Sequence, residues 1–365
     1  MKKVIDYINY LIRRLYVKYE KHLEMNKRKS VITKNFKDLE VIRKLSPKQK
    51  REIQNYYMKL IGKKVPLYSH QYFYSRTGVF NKEYVPTNIY HCELVPKANH
   101  HPYNRAYGDK NMCDVLFPDE NTGHTYLKNI NGYFYFEGNP VSEEDAISSC
   151  QNLGRVIIKP SLKSKGKGIE IIVINDGKVS TGQTLADLFK QYDKNYLIQD
   201  CIRQHPDMAI LNPSSVNTIR ILSYRSEMEV LIIYSVIRIG RKDSVIDNQS
   251  AGGISTTIDK KGRLGKYAFG GYNEDQIEVT DSGVTLEGYQ IPCYDKVIDM
   301  VKRLHLRLPF FNLLGWDVAI GEDGEPVLVE FNVDPGLSQS AFRSGMGEYT
   351  ERIIKELWPR KNSWF

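Results

Sequence analysis

The chain has 365 residues and a formal net charge of +9, with 41% hydrophobic and 26% charged residues, an ordinary composition for a folded protein of two or three domains. No apolar run nears the roughly 18–20 residues of a membrane span, and no small-residue cleavage site follows an apolar N-terminal core, so secretion is not expected. Five scattered cysteines without a CxxC pair favour reduced thiols in the cytoplasm over a disulfide framework.

Residues 1–30 hold nine Lys/Arg against three acids, so most of the basicity belongs to one arm. No nucleic-acid recognition motif accompanies it, and nucleic acid is not expected as a partner. The arm reads as a helix, with Val4, Ile8, Leu11, Leu15 and Tyr19 recurring at helical spacing. Lys2, Arg13, Lys18 and Lys21 fall on the opposite face. Such a helix either packs its stripe on the body or lies on an anionic inner membrane surface; Tyr7, Tyr10 and Tyr16 suit both contacts. A second helix is expected from the cap Ser46, with Pro47 at its first position, to about Leu60, where Gly62 stops it.

From Lys63 to Ile130 the pattern is weak. His91, Cys92, His100, His101 and Cys113 match no common zinc spacing. Asp109–Asn111 and Val115–Pro118 read as a short helix ending at a loop, and Lys128–Phe134 as a turn and a strand. Ser142-Glu143-Glu144-Asp145 is an N-terminal cap for a helix to about Leu153.

Arg155–Pro160 is a buried-type strand ending in Lys159, and it runs into Ser161–Ile169, SLKSKGKGI. Gly166 and Gly168 let backbone N–H groups turn toward an anion, while Lys159, Lys163, Lys165 and Lys167 supply charge. A P-loop would need GK[ST] opening a helix. Here a strand, Glu170–Ile174, follows, so the loop is either a flexible basic hairpin or a lid over phosphates. Tyr196–Ile202 is another buried strand, ended by His205-Pro206-Asp207. Asn217–Tyr224 and Val230–Ile239 form a hairpin with Arg220 and Arg238 among apolar neighbours. Each arginine wants an anion, supplied by the protein as a salt bridge or by a ligand. Asn248–Gly253 is a polar, glycine-rich loop suited to close approach of a ligand, and Ile298–Leu306 reads as a helix leading into the last hairpin.

That hairpin, GWDVAIGEDGEPVLVEFNVDPG over Gly315–Gly336, carries the strongest signal. Strands Asp317–Ile320 and Pro326–Phe331 flank the turn pair Asp323-Gly324. With those two residues at the turn's centre, Asp317 faces Glu330, and Asn332 shares their face by alternation. Three oxygen-bearing side chains on an apolar strip need a cation to meet them. The donor set suits Mg²⁺, with Mn²⁺ as the substitute, better than zinc. The bland alternative is an exposed face with solvated acids.

In this order the parts resemble the ATP-grasp enzymes: Lys159 with its glycine loop, the strand QDCI, arginines on antiparallel strands and the D…E-x-N hairpin. The spacing from Asp317 through Glu330 to Asn332 is similar to that of D-alanine–D-alanine ligases. More closely the chain resembles the sugar-transfer-associated ATP-grasp group of polysaccharide biosynthesis settings. That likeness rests on DKN at Asp109–Asn111, KNINGYF at Lys128–Phe134, IIKP at Ile157–Pro160, NTIR at Asn217–Arg220 and GWDVAI at Gly315–Ile320, and it covers about residues 100–345.

The resemblance implies an α+β, ATP-grasp fold: two α+β subdomains clasping ATP between antiparallel sheets, with a helical N-terminal extension. The expected divisions are 1–62 (helical, basic), 63–145 (an α/β region contributing to the substrate site), 146–209 (lid subdomain) and 210–365 (metal-site subdomain). Asp317, Glu330 and Asn332 would hold Mg²⁺ on ATP. Lys159 would bind phosphate and Lys128 would be the earlier ATP-binding lysine, with Ser164, Gly166, Lys167 and Gly168 in the lid. Gln199, Asp200 and Ile202 would line the adenine hinge, and Asp207 would touch the ribose. D-alanine–D-alanine ligases carry an arginine two residues before the metal aspartate, where this chain has Gly315. Arg238 or Arg220 is expected to replace it at the reacting carboxylate, beside Lys159. The implied activity is a carboxylate–amine ligase joining a small-molecule or sugar-linked carboxylate to an amine; the alternative is a kinase acting on a hydroxyl.

Overall fold

The computed structural model describes residues 2–37, 39, 41–163, 166–227, 229–270 and 276–360. Two antiparallel sheets form its frame. The first has seven strands in the order β3-β2-β1-β7-β4-β5-β6: β1 (Thr125–Ile130), β2 (Tyr133–Phe136), β3 (Asn139–Val141), β4 (Gly154–Pro160), β5 (Glu170–Asn175), β6 (Lys178–Val179) and β7 (Tyr196–Asp200). Side chains alternate across β4. Val156 and Ile158 are buried beneath the helices Glu143–Ser149 and Leu185–Tyr192, packed with Ala146, Leu188 and Phe189. Arg155, Ile157 and Lys159 point the other way, into a cavity.

The second sheet has five strands, β10-β9-β8-β11-β12: β8 (Ile219–Ser226), β9 (Glu229–Ile239), β10 (Ile254–Ile258), β11 (Leu313–Ile320) and β12 (Pro326–Asn332). Its interior strand β11 is buried along its whole length. Leu314, Trp316, Val318 and Ile320 pack one face against the helix Tyr294–Leu306 through Val297, Val301 and Leu304. There Trp316 donates its indole N–H to Ser223 Oγ at 2.8 Å, and Ser223 meets His305 Nδ1 at 2.7 Å. The opposite face is shared. Toward one end, Leu222, Tyr224, Leu231 and Leu313 are covered by N-terminal helices through Ile53, Tyr57, Ile89 and Leu94, and by the helix Thr350–Leu357. Toward the other end, the same face carries Arg220 and Asp317.

Most expected elements appear. Helix α2 (Pro47–Ile61) has the Ser46 cap, closed as a capping box by Gln49, and ends at Gly62 with φ 71°. The helix capped by Ser142 stops at Ser149 rather than about Leu153, and β7 stops at Asp200, two residues early. The expected divisions fit less well. Strand β1 pairs with β7, so a boundary at 145 would cut through one sheet. Within 63–145, residues 63–117 contain only short helical segments, including α3 (Tyr68–Thr77) and a π-turn at Tyr90–Leu94, and the strands β1–β3 follow them.

Helix α1 (Lys2–Lys37) is longer than expected. It does not bury its N-terminal stripe on the body: Ile8, Leu11, Leu15 and Tyr19 are all exposed, and Ile32 is its buried anchor. Among the described residues, no helix is long and apolar enough to cross a membrane.

Candidate functional site

A cavity of about 360 Å³ lies between the two sheets, within the range of ligand pockets. Its floor is a cross-strand row from the first sheet, Ile171–Ile157–Gln199, set by the pairing of β5, β4 and β7. Ile202 and Val216 extend this apolar end. Gln199 is held by a 2.6 Å hydrogen bond from its Nε2 to Thr125 Oγ1. Next along β4 comes Lys159, buried to 8% exposure. Its ammonium makes no hydrogen bond or ion pair with any described residue. Burial lowers its pKa to about 8, against the pull of Glu330 toward a higher value.

The opposite wall is the D…E-x-N hairpin. Asp317 pairs with Glu330 as expected, though by a different route. Near the turn the register runs Ile320↔Pro326 and Val318↔Leu328, one residue off the expected alignment. A bulge at Val329 restores it, giving Asp317↔Glu330 and Gly315↔Asn332. Asn332 Nδ2 lies 3.5 Å from both Asp317 Oδ2 and Glu330 Oε1. Rotating that amide by half a turn presents its oxygen instead.

Both arginines on the neighbouring strands find a protein-borne anion. Arg220 grips both oxygens of Asp317 in a buried two-pronged bond through Nε and Nη2. Arg238 Nη1 stands 3.1 Å from Asp317 Oδ1 and 3.1 Å from Asn248 Oδ1. Burial opposes charge on Asp317, but the two guanidinium groups more than offset it and hold its pKa well below the usual range. Arg238 lines the cavity, whereas Arg220 stands behind Asp317. Gly315 explains how it fits there. A Cβ at this position would lie 3.2 Å from Arg220 Nη1 and 2.9 Å from Pro335 Cβ. The guanidinium from β8 therefore occupies the space beside the glycine.

Three further residues belong to the site and were not singled out by sequence. Lys110 Nζ sits 3.2 Å from Glu330 Oε2 and donates to the Lys163 carbonyl at 2.9 Å, so one ammonium joins the glycine loop to the hairpin. Asp247, buried, accepts hydrogen bonds from Thr218 N and Oγ1; burial pushes its pKa up. Arg155 lines the apolar end. The DKN motif was the available signal for Lys110. Nothing local marked Asp247, because its contacts depend on Thr218, remote in sequence and just before β8.

Other expected residues stand differently. Asp200 and Gly166 line the cavity; a Cβ on Gly166 would come within 3.0 Å of Ile246, so the loop touches the far wall. Lys128 shares the row of Lys159 through Leu197. Its ammonium, however, is taken by Asp114 at 2.5 Å and the Asn111 carbonyl at 3.0 Å, and it is not in the cavity wall. Lys167, Gly168 and Asp207 are also outside that wall, and Asp207 is exposed on the short helix Pro206–Ala209. Ser164 lies outside the described residues.

The family model described as sugar-transfer associated ATP-grasp matches residues 92–353. The chain belongs to that family. Solved ATP-grasp structures resemble it at a distance. They include an L-amino acid ligase from Bacillus licheniformis (10% identity, TM-score 0.40, 72% of this chain and 50% of that one). The ATP-grasp ligase PsnB, complexed with a phosphomimetic precursor variant, Mg and ADP, is at 11% identity and TM-score 0.40, covering 71% and 61%. A D-alanine–D-alanine ligase from Bacillus anthracis complexed with ATP is at 13% and 0.39, covering 69% and 66%. This sugar-transfer associated ATP-grasp chain thus spans about half to two thirds of the length of those structures, and likenesses so remote say nothing about its activity. No curated protein matches it.

The donor set fits a hard cation. Among the described residues no three His, Cys, Asp or Glu side chains form a self-sufficient metal cage. Two carboxylates and an amide oxygen are nonetheless enough for Mg²⁺, which keeps waters and shares phosphate oxygens.

Proposed function

We propose that the protein is an ATP-dependent carboxylate–amine ligase that acts through an acylphosphate and joins a sugar acid or other glycan-related carboxylate to an amino acid or amine. The observation that carries this reading is the buried Lys159 ammonium without a protein acceptor, at the point where the apolar floor gives way to Glu330 and Lys110. A desolvated cation of that kind is stable in use only opposite an anion.

The adenine would lie on Ile157 and Ile171, with its edge toward Gln199–Ile202. The phosphates would run toward Lys159, under the loop at Gly166. Lys110 would pass from Glu330 to a phosphate oxygen. Asp317, Glu330 and Asn332 would hold Mg²⁺, which screens phosphate charge when bound. Arg238 would face the acceptor carboxylate, and Arg220 would keep Asp317 ionised and oriented. A carboxylate oxygen attacks the γ-phosphorus and ADP leaves; the amine nitrogen then attacks the acyl carbon, phosphate leaves, and the nitrogen gives up a proton. Developing negative charge falls on oxygens facing Lys159 and Arg238. The five free thiols fit a cytoplasmic setting.

The test is an ADP-release screen over sugar acids with hydroxylamine in place of the amine. A hydroxamate is the expected product. A stable phosphorylated compound formed with no amine present would instead identify a kinase acting on a hydroxyl.

A further inference from the structure

The outer half of α1 presents an exposed apolar face. At ~100° per residue, Ile5, Ile8, Leu11, Ile12, Leu15 and Tyr19 fall within an arc of roughly 120°. Every one is exposed, from 36% at Leu11 to 65% at Leu15. The helix is tied to the body further along. Lys21 pairs with Glu93 at 2.6 Å, and Ile32 is buried. A projecting helix of this length gains little from its own hydrogen bonds in water, so an apolar face this wide calls for a cover.

Charge decides among the covers. Lys2, Lys3, Arg14, Lys18 and Lys21 occupy the rest of the circumference, and residues 1–30 carry nine basic residues against three acids. A second copy of this helix would bring like charges together as the apolar faces met. An anionic bilayer takes both features at once, with the aliphatic face among the acyl chains and the lysines at the headgroups.

We propose that α1 lies in the plane of an anionic lipid bilayer and docks the protein there through its Ile5–Leu23 face. The same helix reaches the site. Arg28, roughly 8 Å further along the axis, has Nη2 3.9 Å from Asp334, two residues beyond Asn332. Docking therefore holds the end of the D…E-x-N hairpin near the headgroups, a setting for an acceptor presented at a membrane surface.

The experiment is co-sedimentation of the full chain with vesicles of phosphatidylglycerol and phosphatidylcholine, or of phosphatidylcholine alone, at low and high salt. It is repeated with Leu11→Asp/Leu15→Asp, whose exposed sites leave the fold intact, as checked by circular dichroism and melting. Salt-sensitive binding to the anionic vesicles, weakened about tenfold or more in the double variant, is the expected result. Equal binding by the variant, equal binding to neutral vesicles, or no binding by the wild type overturns the proposal. A wild-type dimer that the variant makes monomeric, with vesicles ignored, overturns it in favour of a second copy. ADP release in solution should be the same for both proteins, so a failed docking test leaves the ligase reading untouched.

Discussion

The two walls of the cavity treat charge in opposite ways. On the five-stranded sheet, the two hairpin carboxylates that line the cavity are already matched: Asp317 by Arg220 and Arg238, Glu330 by Lys110. On the seven-stranded sheet, Lys159 is buried and unmatched. One wall is therefore organised before any ligand arrives, while the other holds a cation whose desolvation is offset only when an anion enters. Binding is favoured on the first sheet by geometry and on the second by relief of an unmet charge.

Four experiments strain that contrast. Glu330→Gln has the largest expected effect, because it removes a negative ligand and leaves Lys110 unpaired. ADP release should fall by about 10³-fold or more while the fold is kept; unchanged turnover would remove the metal assignment. Next come paired methionine substitutions read by denaturant unfolding without ligand. Arg220→Met leaves Asp317 buried without its fork and should cost about 3–5 kcal/mol. Lys159→Met removes an unmatched charge and should leave stability unchanged or higher, while ATP affinity collapses. Equal losses in both variants would erase the difference between the walls.

Gly315→Ala comes third. Its Cβ would meet Pro335 at 2.9 Å, backbone-linked and unable to swing away, and Arg220 at 3.2 Å. A cost of about 1–3 kcal/mol is expected, with ADP release reduced because Asp317 loses its alignment. The smallest effect is a pH dependence. Lys159 titrates near 8 in the free protein, lowered mainly by burial, so ATP affinity should weaken by up to about tenfold per pH unit above that value. The sign for stability is opposite. Between about 8 and the ordinary lysine value the unfolded chain binds more protons than the native one, so the ligand-free fold gains stability as pH rises. Both trends should vanish in Lys159→Met.

The strands and their motifs were legible because alternation and turn chemistry are local. IIKP lies on β4 and NTIR at the start of β8, and the D…E-x-N hairpin forms where Asp323-Gly324 turns the chain. The pairing of Asp317 with Glu330 was foreseen from a symmetric turn, yet it is produced by a register shift compensated at Val329. A bulge adds one residue without changing the hydrophobic pattern enough to be read. Lys110 and Asp247 escaped notice for another reason: each acts across the gap between chain segments remote in sequence. The pairing of Lys128 with Asp114 was not legible either, since Asp114 sits in a segment with no periodic signal. The layer formed by residues 45–98 was also hidden, because short helices broken by a π-turn leave no regular stripe.

The shared face of the second sheet separates the unit of homology from the unit of folding. The family match runs over residues 92–353, but Leu222, Tyr224, Leu231 and Leu313 are sealed by Ile53, Tyr57 and Ile89 from before that span and by Ile354 and Leu357 from after it. A fragment trimmed to the matched borders would keep every charged side chain of the cavity and lose the seal over half of the sheet that carries them. Such a piece would be sticky and prone to aggregate, and its silence in an assay would report a missing lid on the core rather than a missing activity.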